Sequence, residues 1–119
     1  MKKTLVLGAS LHKERYAYMA ITRLVAKKFS VVGIGSTEGD IDGCHIHTTQ
    51  IMLKDIDTVS VYLNPGNQEE YYDYIIDLKP RRVIFNPGSE NTQFETLLLD
   101  HHIYFERACT LVLLQMNQY

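Results

Sequence analysis

The chain has 119 residues, enough for one domain with a buried core and too few for two. It is 45% apolar, as a globular fold requires, and its twelve basic residues face fourteen acidic ones. That balance excludes the broad positive field that draws proteins to nucleic acid. No apolar run approaches the ~20 residues of a membrane helix. Met1-Lys2-Lys3 begins like an export signal, but Gly8 and the polar His12-Lys13-Glu14-Arg15 cut the following run short. Cys44 and Cys109 form no CxxC pair and suggest no disulfide framework. The expected setting is the cytoplasm.

The first predicted strand is Thr4-Leu5-Val6-Leu7, and Gly8-Ala9-Ser10 turns the chain sharply after it. Residues 16–28 read as a helix, with Tyr16, Ala20 and Leu24 at four-residue spacing and Lys27-Lys28 where the dipole favours cations. Residues 30–34 are a second strand, stopped by Gly35. A polar bend punctuated by Gly39 and Asp42-Gly43 follows. Residues 44–47 suit a short strand, and 51–56 suit about one helical turn. Residues 58–63 form the third main strand, ended by Asn64-Pro65-Gly66. A helix is expected from near Asn67, since Asn67 and Glu70 have capping-box spacing. Its apolar face carries Tyr71, Ile75 and Leu78, and Lys79-Pro80 ends it. Val83-Ile84-Phe85 is the fourth strand, stopped by Asn86-Pro87-Gly88. A helix over 92–99 buries Phe94, Leu97 and Leu98, and 102–105 make the fifth strand. The tail, 109–116, adds a short element across the sheet or at its edge.

Alternating strands and helices with short, continuous apolar strands predict an α/β domain with a parallel sheet covered on both faces. The expected order is 3-2-1-4-5, with five strands. Right-handed crossovers put every carboxyl end on one rim, and ligands bind outside that rim where the winding reverses. The turns at 8–15, 34–38, 63–67 and 86–91 should therefore converge.

Those turns offer anion chemistry. Gly8 permits a tight bend and close approach, Ala9 leaves room, and Ser10 supplies a hydroxyl. Free amides at the next helix face the same space. Arg15 is able to fork onto a phosphate. The G-x-G-x-x-G fingerprint is absent, and Gly35-Ser36 stands where an acidic residue would read a ribose, which argues against ordinary use of NAD. No G-x-x-x-x-G-K-[ST] sequence occurs. The two Asn-Pro-Gly turns should be stiff. Asn86, Ser89, Glu90 and Asn91 offer polar groups to a ligand, although Glu90 and Asn91 equally suit a cap on the following helix.

His45 and His47 alternate along one short strand, opposite Cys44. Two ligands do not make a structural zinc site, and no metal ligand is assigned. Cys109 is expected to be a buried structural thiol, and no catalytic residue is assigned. Tyr71, Tyr72 and Tyr74 cannot all be buried on one helix face, so one or more is open to a ligand or to a homo-oligomer contact.

Taken together, Val6-Leu7-Gly8-Ala9-Ser10, Ile41-Asp42-Gly43, Asp55-Ile56-Asp57, the run from Val83 to Asn91, and Ala108-Cys109-Thr110 carry a resemblance. In their order and spacing the chain resembles the small bacterial single-domain CoA-binding proteins, relatives of the N-terminal domain of the succinyl-CoA ligase alpha subunit. The resemblance spans nearly the whole chain, 1–119. It implies a Rossmann-like, three-layer domain whose cofactor is coenzyme A. It further implies that Gly8, Ala9 and Ser10 meet the phosphate side of CoA, with Arg15 nearby. Ser36, Leu63, Asn64, Pro65, Asn86, Pro87 and Gly88 would surround the rest, and Asn91 is grouped with them. The phosphohistidine segment of the ligases is not found here, so ligase or acyl-transfer activity is not expected. The reading is recognition of CoA or an acyl-CoA rather than turnover. Two alternatives stand beside it: a Cys109-dependent enzyme acting on a thioester, and a regulatory domain for another adenine nucleotide.

Overall fold

A computed structural model describes residues 2–119, and its apolar runs become strands of one seven-stranded sheet. The strands are β1 (Lys3–Ala9), β2 (Ser30–Gly35), β3 (Gly39–Ile41), β4 (Cys44–His47), β5 (Thr58–Val61), β6 (Arg82–Phe85) and β7 (Tyr104–Arg107). The helices are α1 (Tyr16–Ala26), α2 (Tyr72–Leu78), α3 (Thr92–Asp100) and α4 (Thr110–Gln115). Two 3₁₀ turns, Pro65–Asn67 and Glu69–Tyr71, lead into α2.

This sheet corrects the expected one. It is mixed, not all parallel, and its order is β3-β4-β2-β1-β5-β6-β7. β3 runs antiparallel to β4, while every other neighbouring pair is parallel. The expected order sets the third main strand, 58–63, beyond the second strand. It pairs with β1 instead, Thr4 opposite Thr58, and β4 takes the place outside β2. The cause is local. Asp42 and Gly43 both hold positive φ, 49° and 87°, as a two-residue hairpin turn requires. They fold β3 back onto β4, and buried Cys44 and Ile46 anchor that strand in the sheet. The winding thus runs outward from β1 through β2 to β4, then returns to β5 on the other side of β1. The reversal lies between β1 and β5.

Alternation along the strands supplies both faces. Leu5, Leu7, Val59, Val61, Val83 and Phe85 pack with Ile75 of α2 and with Phe94 and Leu98 of α3. Val6, Ala9 and Ile46 pack on the opposite side with Ala17, Ile21 and Leu24 of α1 and Leu114 of α4. The buried stripe of α1 includes Ala20 and Leu24 as expected, with Ala17 and Ile21 beside them, but Tyr16 is 70% exposed. Two other expectations also shift. Residues 50–57 form no helical turn, and Asp55 there holds φ 60°. The helix expected from Asn67 begins at Tyr72, because Asn64, not Asn67, caps the chain by accepting from the Asn67 N–H at 3.1 Å. Fully buried Gln68 then donates to the carbonyls of Leu63 and Ser89, which pins this stretch in tight turns.

Beneath α4 the sheet carries polar groups rather than hydrocarbon. Thr4, Thr58 and Ser60 are completely buried, and Arg82 is 6% exposed. Such groups are tolerated only when paired. Tyr119 closes over them. Its hydroxyl shares a 2.6 Å hydrogen bond with Thr4 Oγ1, and its ring lies 4.8 Å from the Arg82 guanidinium. Arg82 Nε donates to Thr58 Oγ1 at 3.3 Å. Burial raises the Tyr119 hydroxyl's pKa, so it stays neutral and able to bond. Tyr119→Ala removes the cover from a buried cation. The expected loss is about 3 kcal/mol of folding stability, read as a lower urea midpoint.

Candidate functional site

The carboxyl ends of the parallel strands frame an open cleft of about 720 Å³. Its floor is built by close approach of backbone. Gly8 holds φ +92°, and a Cβ there would stand 3.0 Å from the Leu63 nitrogen. Opposite it, a Cβ on Gly35 would meet the Ala9 carbonyl oxygen at 2.1 Å, so only glycine fits. The register between β1 and β2 shifts between Leu7 and Ala9, a local irregularity at the end of β1.

The turn then leaves α1 with an open start. Ser10 Oγ accepts from the His12 N–H at 3.1 Å, and the Arg15 N–H donates to the His12 carbonyl at 3.0 Å. Arg15 is the N-cap residue in extended conformation, and no side chain caps the helix. Its first-turn amides therefore have no partner within the helix, and they carry the positive end of the dipole. Arg15, Tyr16 and Ala17 line the cleft at this point. The arrangement offers donors and positive potential to an anion.

Most of the residues predicted from sequence come together here. Gly8, Ala9, Ser10, Arg15, Ser36, Leu63, Asn64 and Pro87 all line the cleft. All four expected turns contribute to it. Pro65, Asn86, Gly88 and Asn91 do not line it. Pro65 opens the first 3₁₀ turn, and Gly88, at φ +95°, donates its N–H to Glu90 Oε1 at 2.9 Å. Asn91 caps α3 by accepting from the Phe94 N–H, and its amide nitrogen donates to Gln68 and Tyr72.

Asn86 is a buried clamp. Its Nδ2 donates to Ser60 Oγ and to the Val61 carbonyl, and its Oδ1 accepts from the Thr110 N–H at 2.8 Å. Those bonds tie the end of β6 to the start of α4. Asn86→Ala strands several buried polar groups at once. It should cost about 2–4 kcal/mol of stability, measured by chemical denaturation.

Sequence reasoning missed Thr48, Tyr62 and Glu70, which also line the cleft. Thr48 follows β4, and only the parallel pairing of β4 with β2 brings it to this rim. Tyr62 follows β5, and burial pushes its hydroxyl up to about 12. Of the tyrosines weighed above, Tyr71 faces the cleft, Tyr72 is buried in the core, and Tyr74 donates to the Ile51 carbonyl at 2.6 Å.

The two thiols differ. Burial and then the nearby Asp40 carboxylate push Cys44 up to about 11. Cys109 is half-buried, so it does not have the fully buried position expected of it, and it is not among the cleft residues. A thiol titration at pH 7.5 should label Cys109 in the native protein and reach Cys44 only after denaturation. Fast labelling of Cys44 would contradict its burial.

Comparison with known proteins gives the class. A family model described as a CoA binding domain matches residues 2–115, and the chain belongs to that family. A crystal structure of an uncharacterized protein is 42% identical, with a TM-score of 0.95, covering 100% of this chain and 98% of that one. A structure from Thermus thermophilus shares the fold at 19% identity, with a TM-score of 0.87 over 99% of this chain and 90% of that one. A conserved hypothetical protein from Pyrococcus furiosus does so at 19% identity, with a TM-score of 0.80 over 94% and 99%. A comparison with curated proteins found no match. Among the described residues, no helix is long and apolar enough to cross a membrane.

Proposed function

We propose that the chain binds coenzyme A, free or acylated, in the cleft at the carboxyl ends of its strands. One observation carries this reading: the uncapped start of α1 opens into the cleft beside Ser10 and Arg15. A phosphate group of the ligand takes the first-turn amides, and Arg15 pairs with it. Gly8 and Gly35 keep the floor low enough for the backbone to reach the ligand. Leu63, Asn64 and Pro87, with Tyr71 across from α1, flank the remainder. Kinship with the N-terminal domain of the succinyl-CoA ligase alpha subunit belongs to this proposal, and the strand–turn–helix unit around Gly8 supports it.

The function is recognition. Asn86, Gly88 and Asn91 act by holding the walls, and the ligand contacts fall to Gly8, Ala9, Ser10 and Arg15. Calorimetry with CoA tests the assignment. Arg15→Glu replaces an attraction with a repulsion and should weaken binding by about 10- to 100-fold, the worth of a charge-assisted hydrogen bond. Adding Ser10→Leu should weaken it further while the circular dichroism spectrum stays unchanged. Unaltered affinity in the double variant would remove CoA from this cleft. Tighter binding of ATP or NAD than of CoA would favour the other adenine nucleotides.

A further inference from the structure

The hairpin of β3 and β4 gathers a second set of groups outside the cleft. His45 and His47 leave β4 on one side, while Cys44 and Ile46 are buried on the other. The two imidazoles meet edge to face, with centroids 4.5 Å apart. Glu38, just before β3, joins them, with its Oε2 3.1 Å from His45 Nε2. One ligand atom from each of Glu38, His45 and His47 lies within 4.8 Å of the others. The remaining nitrogen of His45, Nδ1, is 3.0 Å from Asp40 Oδ1. A carboxylate holding the far nitrogen is the usual support of a metal-binding histidine.

Spacing and chemistry point the same way. Donors that each lie about 2.0–2.2 Å from one ion stand roughly 3–3.5 Å apart. The Glu38–His45 pair already has that separation, and the His47 donor lies within 4.8 Å of both. The side chains of His45 and Glu38 are 41% and 65% exposed, so an ion reaches them without opening the fold. Two imidazoles and one carboxylate suit zinc and the other late divalent transition metals over magnesium or calcium. Sequence alone offered only the two histidines. The hairpin supplies the third donor from seven residues upstream.

We propose that Glu38, His45 and His47 form a binding site for a divalent transition-metal ion, with Asp40 as the positioning residue. Three protein donors leave coordination positions open to water or another small ligand. The site stands beside the cleft, not within it: Ser36 and Thr48 line the cleft, whereas Glu38, His45 and His47 do not. The competing account of the same geometry is a protonated His45 clasped by two carboxylates, with no ion.

Calorimetry with Zn²⁺ on the chelator-stripped full chain separates the two. The expected result is one ion per chain. His47→Ala, His47→Gln and Glu38→Gln should each weaken binding at least about tenfold, with circular dichroism confirming the fold. Asp40→Asn should lower affinity by about 10- to 100-fold yet leave the visible spectrum of the Co²⁺-loaded protein unchanged, as befits a residue that orients a ligand. His47 variants should change that spectrum. Undiminished Zn²⁺ affinity in both His47 variants would overturn the site and assign the ion to other histidines. No Zn²⁺ binding by the wild-type chain would overturn it in favour of the ion pair. CoA affinity is read separately, so failure of the cleft leaves this result intact.

Discussion

The whole cleft depends on how closely three strands approach at their carboxyl ends. The Ala9 carbonyl presses into the space that a side chain on Gly35 would fill, and Gly8 sits against the backbone of Leu63. These contacts close the ends of β1, β2 and β5 against one another beside the start of α1. A methyl group at either glycine would push the strands apart or force the turn aside. The open helix start, its positive potential and the width of the cleft all follow from this packing.

The structure divides its polar residues between two tasks. Ser10, Arg15, Ser36 and Asn64 face open space. Asn86, Asn91, Gln68 and Ser60 are buried and satisfy one another or the backbone. The second group stiffens what the first presents. Gln68 ties the turn after β5 to the Ser89 carbonyl, and Asn91 ties α3 to Gln68 and Tyr72. The walls of the cleft are thus joined behind its surface by hydrogen bonds that exclude solvent, where such bonds hold geometry most firmly.

Local signals in the sequence reported local structure well. The Gly8 turn, the apolar strands near 30–34 and 83–85, and the helix over 92–99 are each written in adjacent residues, and the four turns of the cleft follow from them. What was not legible depends on distant partners. The edge of the sheet depends on the Asp42-Gly43 hairpin, and a polar bend of that composition reads equally well as an irregular loop. Without β4 in the sheet, the expected order sets the strand at 58–63 beside the second strand, whereas it pairs with β1. Asn86 reads as a ligand contact, and Asn91 equally as a contact or a cap, because an asparagine in a turn has the same local signature whether it faces solvent or the core. Only the buried partners decide between the two: Ser60 and Thr110 for Asn86, Gln68 and Tyr72 for Asn91. Glu38 showed nothing in sequence to distinguish it from any surface acid.

The seal over Arg82 has a bearing on how the molecule holds together. The hydrogen bond between Thr4 and Tyr119 joins residues 115 positions apart in the chain. β1 lies at the centre of the sheet, so its bond to Tyr119 ties the middle of the sheet to a residue far along the chain. Loss of that bond opens buried Thr4, Thr58 and Arg82 to water together, so fraying at Tyr119 reaches the core. The contact is long-range and makes two distant segments part of one cooperative unit.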